Sequence, residues 1–256
     1  MTGRSIAFDR AADFYDATRG YPPGVAEKVA DFLADEGQLR GDQRLLEIGV
    51  GTGRLALPVC RHVAQVIGVD LAVPMLRRLL DKRADEPIGV LRGDVTRLPL
   101  PDDSFDRALT MHIFHLIEDW RAALRELSRV LRPGALLIEA GDDYPLSDVW
   151  DEVNARLPWY RSNIAAGHIP DGFPTLEGFE PASPERRFEY IRATPLARVL
   201  QELRDRVWSS TWKLSDAELS LLVETFETVA IERHGSASIT VDDPRRVRVQ
   251  VYRLAS

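Results

Sequence analysis

The fold of this chain is decided by the stretch Leu45-Leu46-Glu47-Ile48-Gly49-Val50-Gly51-Thr52-Gly53-Arg54. The apolar run predicts a buried strand at about Arg44 to Ile48, and the pattern from Leu55 to His62 predicts a helix. Glycines at alternate positions between them permit positive φ angles and let a ligand lie directly against the backbone. A strand, a glycine loop and a helix in this order predict a cradle for a cofactor.

The residues downstream of the loop help to define the kind of cofactor. Asp70 ends the next apolar run, where an acid binds the ribose hydroxyls of a nucleoside cofactor. The dinucleotide pattern G-x-G-x-x-G requires its third glycine at position 54, where this chain has Arg54. The loop, preceded by the acidic Glu47, instead resembles the first motif of class I S-adenosylmethionine-dependent methyltransferases. This resemblance implies S-adenosylmethionine as cofactor, held by Glu47, Gly49, Gly51, Gly53 and Asp70.

The N-terminal segment carries a second resemblance. Phe8-Asp9-Arg10-Ala11-Ala12-Asp13-Phe14-Tyr15-Asp16, followed by Arg19-Gly20-Tyr21, is similar to the start of type 11 methyltransferases of the ubiquinone/menaquinone-biosynthesis kind. There the segment closes over the cofactor. Residues 1–36 are therefore expected to form an arm and a helix over the cofactor. In that arrangement Tyr15 donates a hydrogen bond and Arg19 pairs with the methionine carboxylate. A packed arm without a ligand role is the alternative.

Further cofactor contacts are predicted after the second and third strands. Asp94 follows a strand at Ile88 to Leu91, and the resemblance implies that it holds the adenine amino group. Met75, on a helix predicted over Val73 to Leu80, either flanks the adenine or is a core residue. The remaining residues assigned to the predicted cofactor site are Leu71, Val95 and Thr110.

A candidate general base follows the fourth strand. The string from Asp94 to Leu116 resembles the same family, including the histidine at position 115. Because ligands lie at the carboxyl ends of parallel strands, the loop from His112 to His115 should face the transferred methyl group. A neutral imidazole accepts protons near pH 7, which makes His115 the candidate base and His112 a weaker one. Alternatively, His115 only holds the loop in place.

The order of the elements predicts an α/β fold. Strand and helix alternate five times, which indicates a parallel sheet with helices on both faces. The resemblance implies a Rossmann-like, seven-stranded, mostly parallel sheet whose last strand, near Val247 to Val251, is reversed beside the fifth. Residues 1–256 are treated as a single methyltransferase domain. Residues 142–185, rich in aromatic residues, glycine and proline, are interpreted as an inserted cap, with a dimer surface or a small separate core as alternatives.

Composition limits the partners of the chain. The formal net charge of −7 disfavours nucleic acid as the main substrate. The single cysteine, Cys60, excludes an internal disulfide, and the five histidines form no ligand-type cluster with carboxylates, so no metal is expected. No apolar run approaches the ~20 residues of a membrane span, and no signal-type block begins the chain, so a cytoplasmic location is expected.

The function expected from these features is methyl transfer to a small organic acceptor by in-line displacement. Orientation and desolvation would be its main catalytic effects. The alternatives are a tRNA or protein methyltransferase, a non-catalytic protein that binds S-adenosylmethionine, and an NAD-dependent oxidoreductase, which Arg54 disfavours. The sequence leaves open the acceptor, the methylated atom, the need for a base, and whether the chain forms a homodimer.

Overall fold

The computed structural model of the chain describes residues 15–143, 148–160 and 173–255. Residues 1–14 of the predicted N-terminal arm and residues 144–147 and 161–172 of the predicted cap lie outside the described residues. Within the described ranges no helix is both long enough and apolar enough to cross a membrane.

Helices and strands alternate through the first half of the described chain. The helices are α1 (Tyr15–Arg19), α2 (Val25–Glu36), α3 (Ala56–Val59), α4 (Val73–Lys82), α5 (Trp120–Val130), α6 (Asp148–Arg156), α7 (Leu196–Arg204) and α8 (Asp216–His234). The strands are β1 (Arg44–Ile48), β2 (Gln65–Asp70), β3 (Ile88–Arg92), β4 (Phe105–Met111), β5 (Leu131–Asp143), β6 (Phe179–Pro181), β7 (Arg186–Pro195) and β8 (Thr240–Leu254). Short 3-10 helices lie at Cys60–His62, Phe114–Leu116, Phe173–Glu177 and Ser209–Thr211.

The strands form one sheet in the order β3-β2-β1-β4-β5-β8-β6, and β7 pairs with β8 beside this path. The pairs β2–β3, β1–β2, β1–β4 and β4–β5 are parallel. Strand β8 is antiparallel to both β5 and β6. The predicted Rossmann-like sheet with a reversed last strand is confirmed, and β7 adds an eighth strand to the seven of the path.

Helices cover both faces of this sheet. Gly37, the residue that ends α2, lies so close to Ile138 of β5 that an added Cβ would be 2.1 Å from its Cδ1. The neighbouring Leu137 belongs instead to the core that contains Leu124 and Leu127 of α5. Because successive side chains of a strand point to opposite faces, α2 and α5 lie on opposite sides.

Strand β5 includes residues that are typical of a turn. Arg132-Pro133-Gly134 has the composition of a turn, but these residues lie within β5, which covers Leu131–Asp143. Gly134 adopts φ +75, and the β4–β5 register shifts between Phe105 and Arg107. Such an irregularity accommodates proline and glycine inside a strand. As a consequence Asp142, which the sequence assigns to the cap, belongs to the sheet.

The chain divides into two compact units. The first unit comprises residues 1–142, 169–188 and 247–256, and the second comprises residues 143–168 and 189–246. The predicted cap, residues 142–185, is therefore shared between them, and its role as a cap stays a prediction.

The second unit has its own apolar core, formed by α6, α7, α8 and nearby segments. Four aromatic residues grouped around Trp150 are called here the aromatic cluster, and they comprise the buried Tyr160 and Phe226 and the partly buried Trp150 and Trp208. The ring of Trp150 stacks on Tyr160 at 5.9 Å between centroids and lies 4.9 Å from Phe226. Large buried rings of this kind dominate the energetics of a small core.

Candidate cofactor-binding site

The glycine loop after β1 has the backbone that its glycines were expected to allow. Gly49, Gly51 and Gly53 adopt φ angles of +68, +53 and +77. A Cβ on Gly49 would lie 2.7 Å from the side chain of Ile113, and one on Gly53 would lie 2.8 Å from Leu79. A Cβ on Gly51 would meet nothing closer than the Gly49 carbonyl oxygen, at 4.0 Å. Protein atoms therefore close in on Gly49 and Gly53, whereas Gly51 leaves room for a ligand against the backbone.

The Asp70 carboxylate at the end of β2 is fixed to this loop. Its Oδ2 accepts a hydrogen bond of 2.8 Å from the Gly51 amide, and its Oδ1 accepts one of 2.8 Å from the Ala72 amide. Each carboxylate oxygen has a second lone pair, so hydroxyl donors can bind in addition to these amides. Beyond Asp70, Leu71 is half-buried and Met75 is buried on α4.

A second carboxylate lies after β3. The Oδ1 atom of Asp94 accepts hydrogen bonds from the Thr96 amide at 2.9 Å and from the Thr96 hydroxyl at 2.8 Å. Val95 between them is buried in the core of the first unit. Asp94 is half-buried, so its carboxylate is held in a fixed orientation while part of it stays accessible.

Two buried polar side chains beside the loop have an atom without a hydrogen-bond partner among the described residues. These atoms are Oε2 of Glu47, on β1, and Oγ1 of Thr110, on β4. Burial raises the pKa of Glu47 to about 8, with Arg54 opposing the shift and Asp70 adding to it. Most buried polar atoms in proteins are paired, so two such atoms fit a site built for a polar ligand.

The first helix is tied to the glycine loop. Thr52 donates a hydrogen bond of 2.5 Å to the Asp16 carboxylate, and the Arg54 guanidinium donates one of 2.9 Å to the Arg19 carbonyl oxygen. Tyr15 and Arg19, at the two ends of α1, are both half-buried. Helix α1, which carries both residues, thus contacts the loop through Asp16 and the Arg19 carbonyl oxygen. The roles of Tyr15 and Arg19 in cofactor binding stay predictions.

An ionic cluster that the sequence analysis missed lies at the carboxyl ends of β4 and β5. Arg54 forms an ion pair of 3.2 Å with Asp142, and the Nε2 atom of His112 lies 3.0 Å from the same Asp142 oxygen. Burial opposes ionisation of Asp142, but the charge of Arg54 and the hydrogen bonds with Arg54 and His112 hold its pKa well below the usual range. The sequence does contain a signal for Asp142. It is an acid near the end of a buried strand, which is the pattern that identified Asp70.

His115, the predicted base, lies in the 3-10 helix Phe114–Leu116 with an exposed side chain. Partial desolvation, with smaller contributions from His112 and Arg19, lowers the pKa of His115 to about 4. A neutral imidazole with so low a pKa is a weak proton acceptor. Its role as general base stays a prediction, and the lowered pKa argues against it.

A Rossmann-like sheet with a glycine loop after β1 and a carboxylate ending β2 defines a protein that binds the nucleoside part of a cofactor. A family model described as a methyltransferase domain matches residues 46–138. A demethylmenaquinone methyltransferase from Streptomyces avermitilis is 30% identical over 214 residues, which cover 80% of this chain and 86% of the relative. This chain belongs to the type 11 family of class I S-adenosylmethionine-dependent methyltransferases, and S-adenosylmethionine is its cofactor.

Two further comparisons limit what the relatives imply. A malonyl-[acyl-carrier protein] O-methyltransferase from Serratia marcescens is 33% identical over 162 residues, 59% of this chain and 61% of the relative. This chain therefore spans less than two thirds of that protein. The solved structure of the YcgJ protein from Bacillus subtilis has a TM-score of 0.56 at 17% identity, and the match covers 90% of this chain and 99% of that one. At this identity the likeness concerns the fold alone.

Proposed function

We propose that this chain transfers a methyl group from S-adenosylmethionine to a small organic acceptor. The observation that carries the proposal is the open backbone at Gly51 beside the Asp70 carboxylate, which accepts a hydrogen bond from the Gly51 amide. The relatives named for malonyl-[acyl-carrier protein] and demethylmenaquinone support an organic acceptor, and they differ from each other in its chemistry.

The residues present fit the cofactor in chemical type. Asp70 would accept the ribose hydroxyls, Asp94 would accept the adenine amino group, and Arg19 would pair with the methionine carboxylate. Tyr15 would add a hydrogen bond beside Arg19. The other residues proposed to line the site are Glu47, Gly49, Gly51, Gly53, Leu71, Met75, Val95 and Thr110.

The cofactor supplies a sulfonium methyl group that is already activated for in-line displacement. The residues of the chain then have three tasks, which are to bind the acceptor, to orient it and to exclude water. Orientation alone can contribute several kcal/mol to lowering the barrier. A general base is needed only when the acceptor is neutral or is an acidic carbon.

Isothermal titration of the purified chain with S-adenosylhomocysteine, and in parallel with NAD, tests the cofactor assignment. We expect micromolar binding of S-adenosylhomocysteine and none of NAD. Binding of NAD without binding of S-adenosylhomocysteine would overturn the cofactor assignment and with it the proposed methyl transfer.

The second experiment supplies S-adenosylmethionine with a labelled methyl group and a panel of phenols, alcohols, amines, thiols and carboxylic acids, with tRNA and bulk protein in separate reactions. Label on a small molecule supports the proposal. Label only on tRNA or protein, or binding without any turnover, would favour the corresponding alternative.

A homodimer and a cytoplasmic location are proposed as well. Light scattering of the purified chain measures whether it forms a homodimer.

A further inference from the structure

The pair formed by His112 and Asp142 has the arrangement of a histidine held by a carboxylate. His112 directly follows β4, and Asp142 lies near the end of β5, at the edge of the sheet where ligands of such folds bind. The His112 Nε2 atom lies 3.0 Å from Oδ2 of Asp142, and the side chains are 32% and 8% exposed. Arg54 contacts the same carboxylate oxygen at 3.2 Å.

The second oxygen of this carboxylate is also informative. Asp142 Oδ1 is buried and has no hydrogen-bond partner among the described residues. Among the described residues, Arg54 and His112 thus both contact the carboxylate at Oδ2. A buried carboxylate that concentrates its contacts on one oxygen fixes the histidine on that side and leaves the other oxygen for a further donor.

The tautomer of His112 decides what the pair can do. The Asp142 backbone N–H donates a hydrogen bond of 2.9 Å to the Nε2 atom of His112, which also lies 3.0 Å from Oδ2. If Nε2 accepted the amide proton, its lone pair would face an ionised carboxylate oxygen. If Nε2 carries the proton, the hydrogen bond from the Asp142 amide is lost, but Nε2 donates a charge-assisted hydrogen bond to that oxygen, which is the stronger interaction. The second arrangement leaves the Nδ1 lone pair available.

The other ring nitrogen is suited to accept a proton. Nδ1 of His112 has no hydrogen-bond partner among the described residues, and it is not one of their buried unpaired atoms. The backbone of His112 adopts φ +55, an uncommon conformation for a residue other than glycine. Strained backbone that the surroundings hold in place is concentrated at functional sites.

We propose that His112, positioned by Asp142, is the general base of this methyltransferase and that the acceptor must lose a proton as it is methylated, as a neutral hydroxyl group does. This inference rests on the proposed function. As the new oxygen–carbon bond forms and the methyl–sulfur bond breaks, the O–H bond of the acceptor breaks and its proton passes to Nδ1. The imidazolium then gives that proton to water, and S-adenosylhomocysteine leaves uncharged at sulfur. Among the described residues, the charged and titratable groups near the pair are Arg54, which contacts Asp142, and His115, which interacts with His112 and also with Arg19.

The tautomer can be measured without any acceptor. Nitrogen-15 spectra of the uniformly labelled wild-type chain report the protonated nitrogen of each of the five histidines, and His112→Gln identifies the signal of His112. We expect His112 to be protonated at Nε2. Protonation at Nδ1 would overturn the proposal, because that nitrogen would then be a donor.

The positioning role of Asp142 is tested by Asp142→Asn. The amide introduced there can donate to Nε2, so the tautomer of His112 should reverse to Nδ1–H. The matched control is Asp31→Asn, since Asp31 is a more exposed carboxylate that lies 3.0 Å from Nε2 of His62. The control should leave the His112 signals unchanged. An unchanged His112 tautomer in folded Asp142→Asn would refute the positioning role.

The base itself is tested with the hydroxyl acceptor that the panel identifies. His112→Gln keeps the Asp142–Arg54 ion pair, and it should lower kcat about 100-fold or more and flatten the acid limb of the pH–rate profile. His115→Gln should lower kcat less than about tenfold. A loss below tenfold in His112→Gln, or a panel in which only carboxylates or thiols accept the methyl group, would overturn the inference. Binding of S-adenosylhomocysteine by the wild type separates this failure from failure of the proposed function.

Discussion

The glycine loop of the first unit and the aromatic cluster of the second unit keep their shapes by different means. In the loop, three backbone conformations with positive φ and the hydrogen bond from the Gly51 amide to Asp70 fix the path of the chain. In the cluster, Trp150 packs against Tyr160, Trp208 and Phe226 through ring contacts. The loop depends on the identity of single residues, whereas the cluster depends on filled volume. Cofactor binding and stability should therefore respond to different substitutions.

The largest effect on stability is expected from Phe226→Ala in the aromatic cluster. Phe226 is 1% exposed, and deletion of a buried phenyl ring typically removes about 3–5 kcal/mol from the free energy of unfolding. Urea denaturation followed by tryptophan fluorescence measures the loss. Leu221→Ala on the same helix is the control, because Leu221 is 46% exposed and should change stability little. If folded Phe226→Ala also bound S-adenosylhomocysteine more than tenfold more weakly, the proposed separation of roles would break down.

The second effect concerns Glu47, whose buried carboxyl group makes the stability of the first unit depend on pH. Its pKa is about 8 in the folded chain against an ordinary value of 4.5, so between these values the folded state holds a proton that the unfolded state has lost. The contribution of Glu47 to the free energy of unfolding is thus most favourable below pH 4.5. This contribution is lost as the pH rises from 4.5 to 8, and the free energy of unfolding falls by up to about 1.4 kcal/mol per pH unit.

Glu47→Gln should lack this slope, so the difference in free energy of unfolding between variant and wild type should change with pH in denaturation curves at pH 5.5, 6.5, 7.5 and 8.5. The exposed Glu118 provides the matched control, Glu118→Gln, which should follow the wild type across the same series. Parallel wild-type and Glu47→Gln curves would show that Glu47 is ionised in the folded state near neutral pH.

The sequence predicted those features of the site that depend on the identity of a single residue at a single position. Glycine was required where the loop adopts positive φ, and the acid that ends β2 was recognised because it follows a buried strand directly. Asp142 was missed because Pro133 and Gly134 are turn residues in most contexts, and their place inside β5 depends on pairing with β4. His112 and Asp142 are 30 residues apart, and the strand pairing, which no local pattern encodes, brings them together.

In the second unit the apolar spacing of α6, α7 and α8 is typical of amphipathic helices, but such spacing does not predict the contacts between them. The spacing of apolar residues says which face of a helix is buried and leaves the partner of that face undefined. Trp150 of α6 could have packed against any apolar helix, and its contact with Phe226 of α8 is a property of the folded core.

The third effect is on cofactor affinity. Asp70→Ala removes a carboxylate that would accept the ribose hydroxyls, so S-adenosylhomocysteine should bind about 1–3 kcal/mol more weakly, a factor of roughly 5 to 150. Titration calorimetry measures this change, and Asp81→Ala, an exposed carboxylate on α4, controls for the altered net charge. Unchanged affinity in Asp70→Ala would remove Asp70 from the site and weaken the contrast between the two units.

The smallest expected effect on stability comes from alanine substitutions in the glycine loop. These substitutions distinguish a glycine required by its positive φ alone from one that is also required by a close neighbour. Gly51→Ala should lower the free energy of unfolding by about 1–2 kcal/mol, because only its left-handed backbone opposes a Cβ there. Gly53→Ala should lower it further, since the added Cβ would also lie 2.8 Å from Leu79. If Gly51 faces the ligand, its added methyl group should weaken S-adenosylhomocysteine binding. This loss of affinity should be larger than the loss of stability alone would cause. A variant with reduced stability and wild-type affinity would mean that the cofactor does not lie against Gly51.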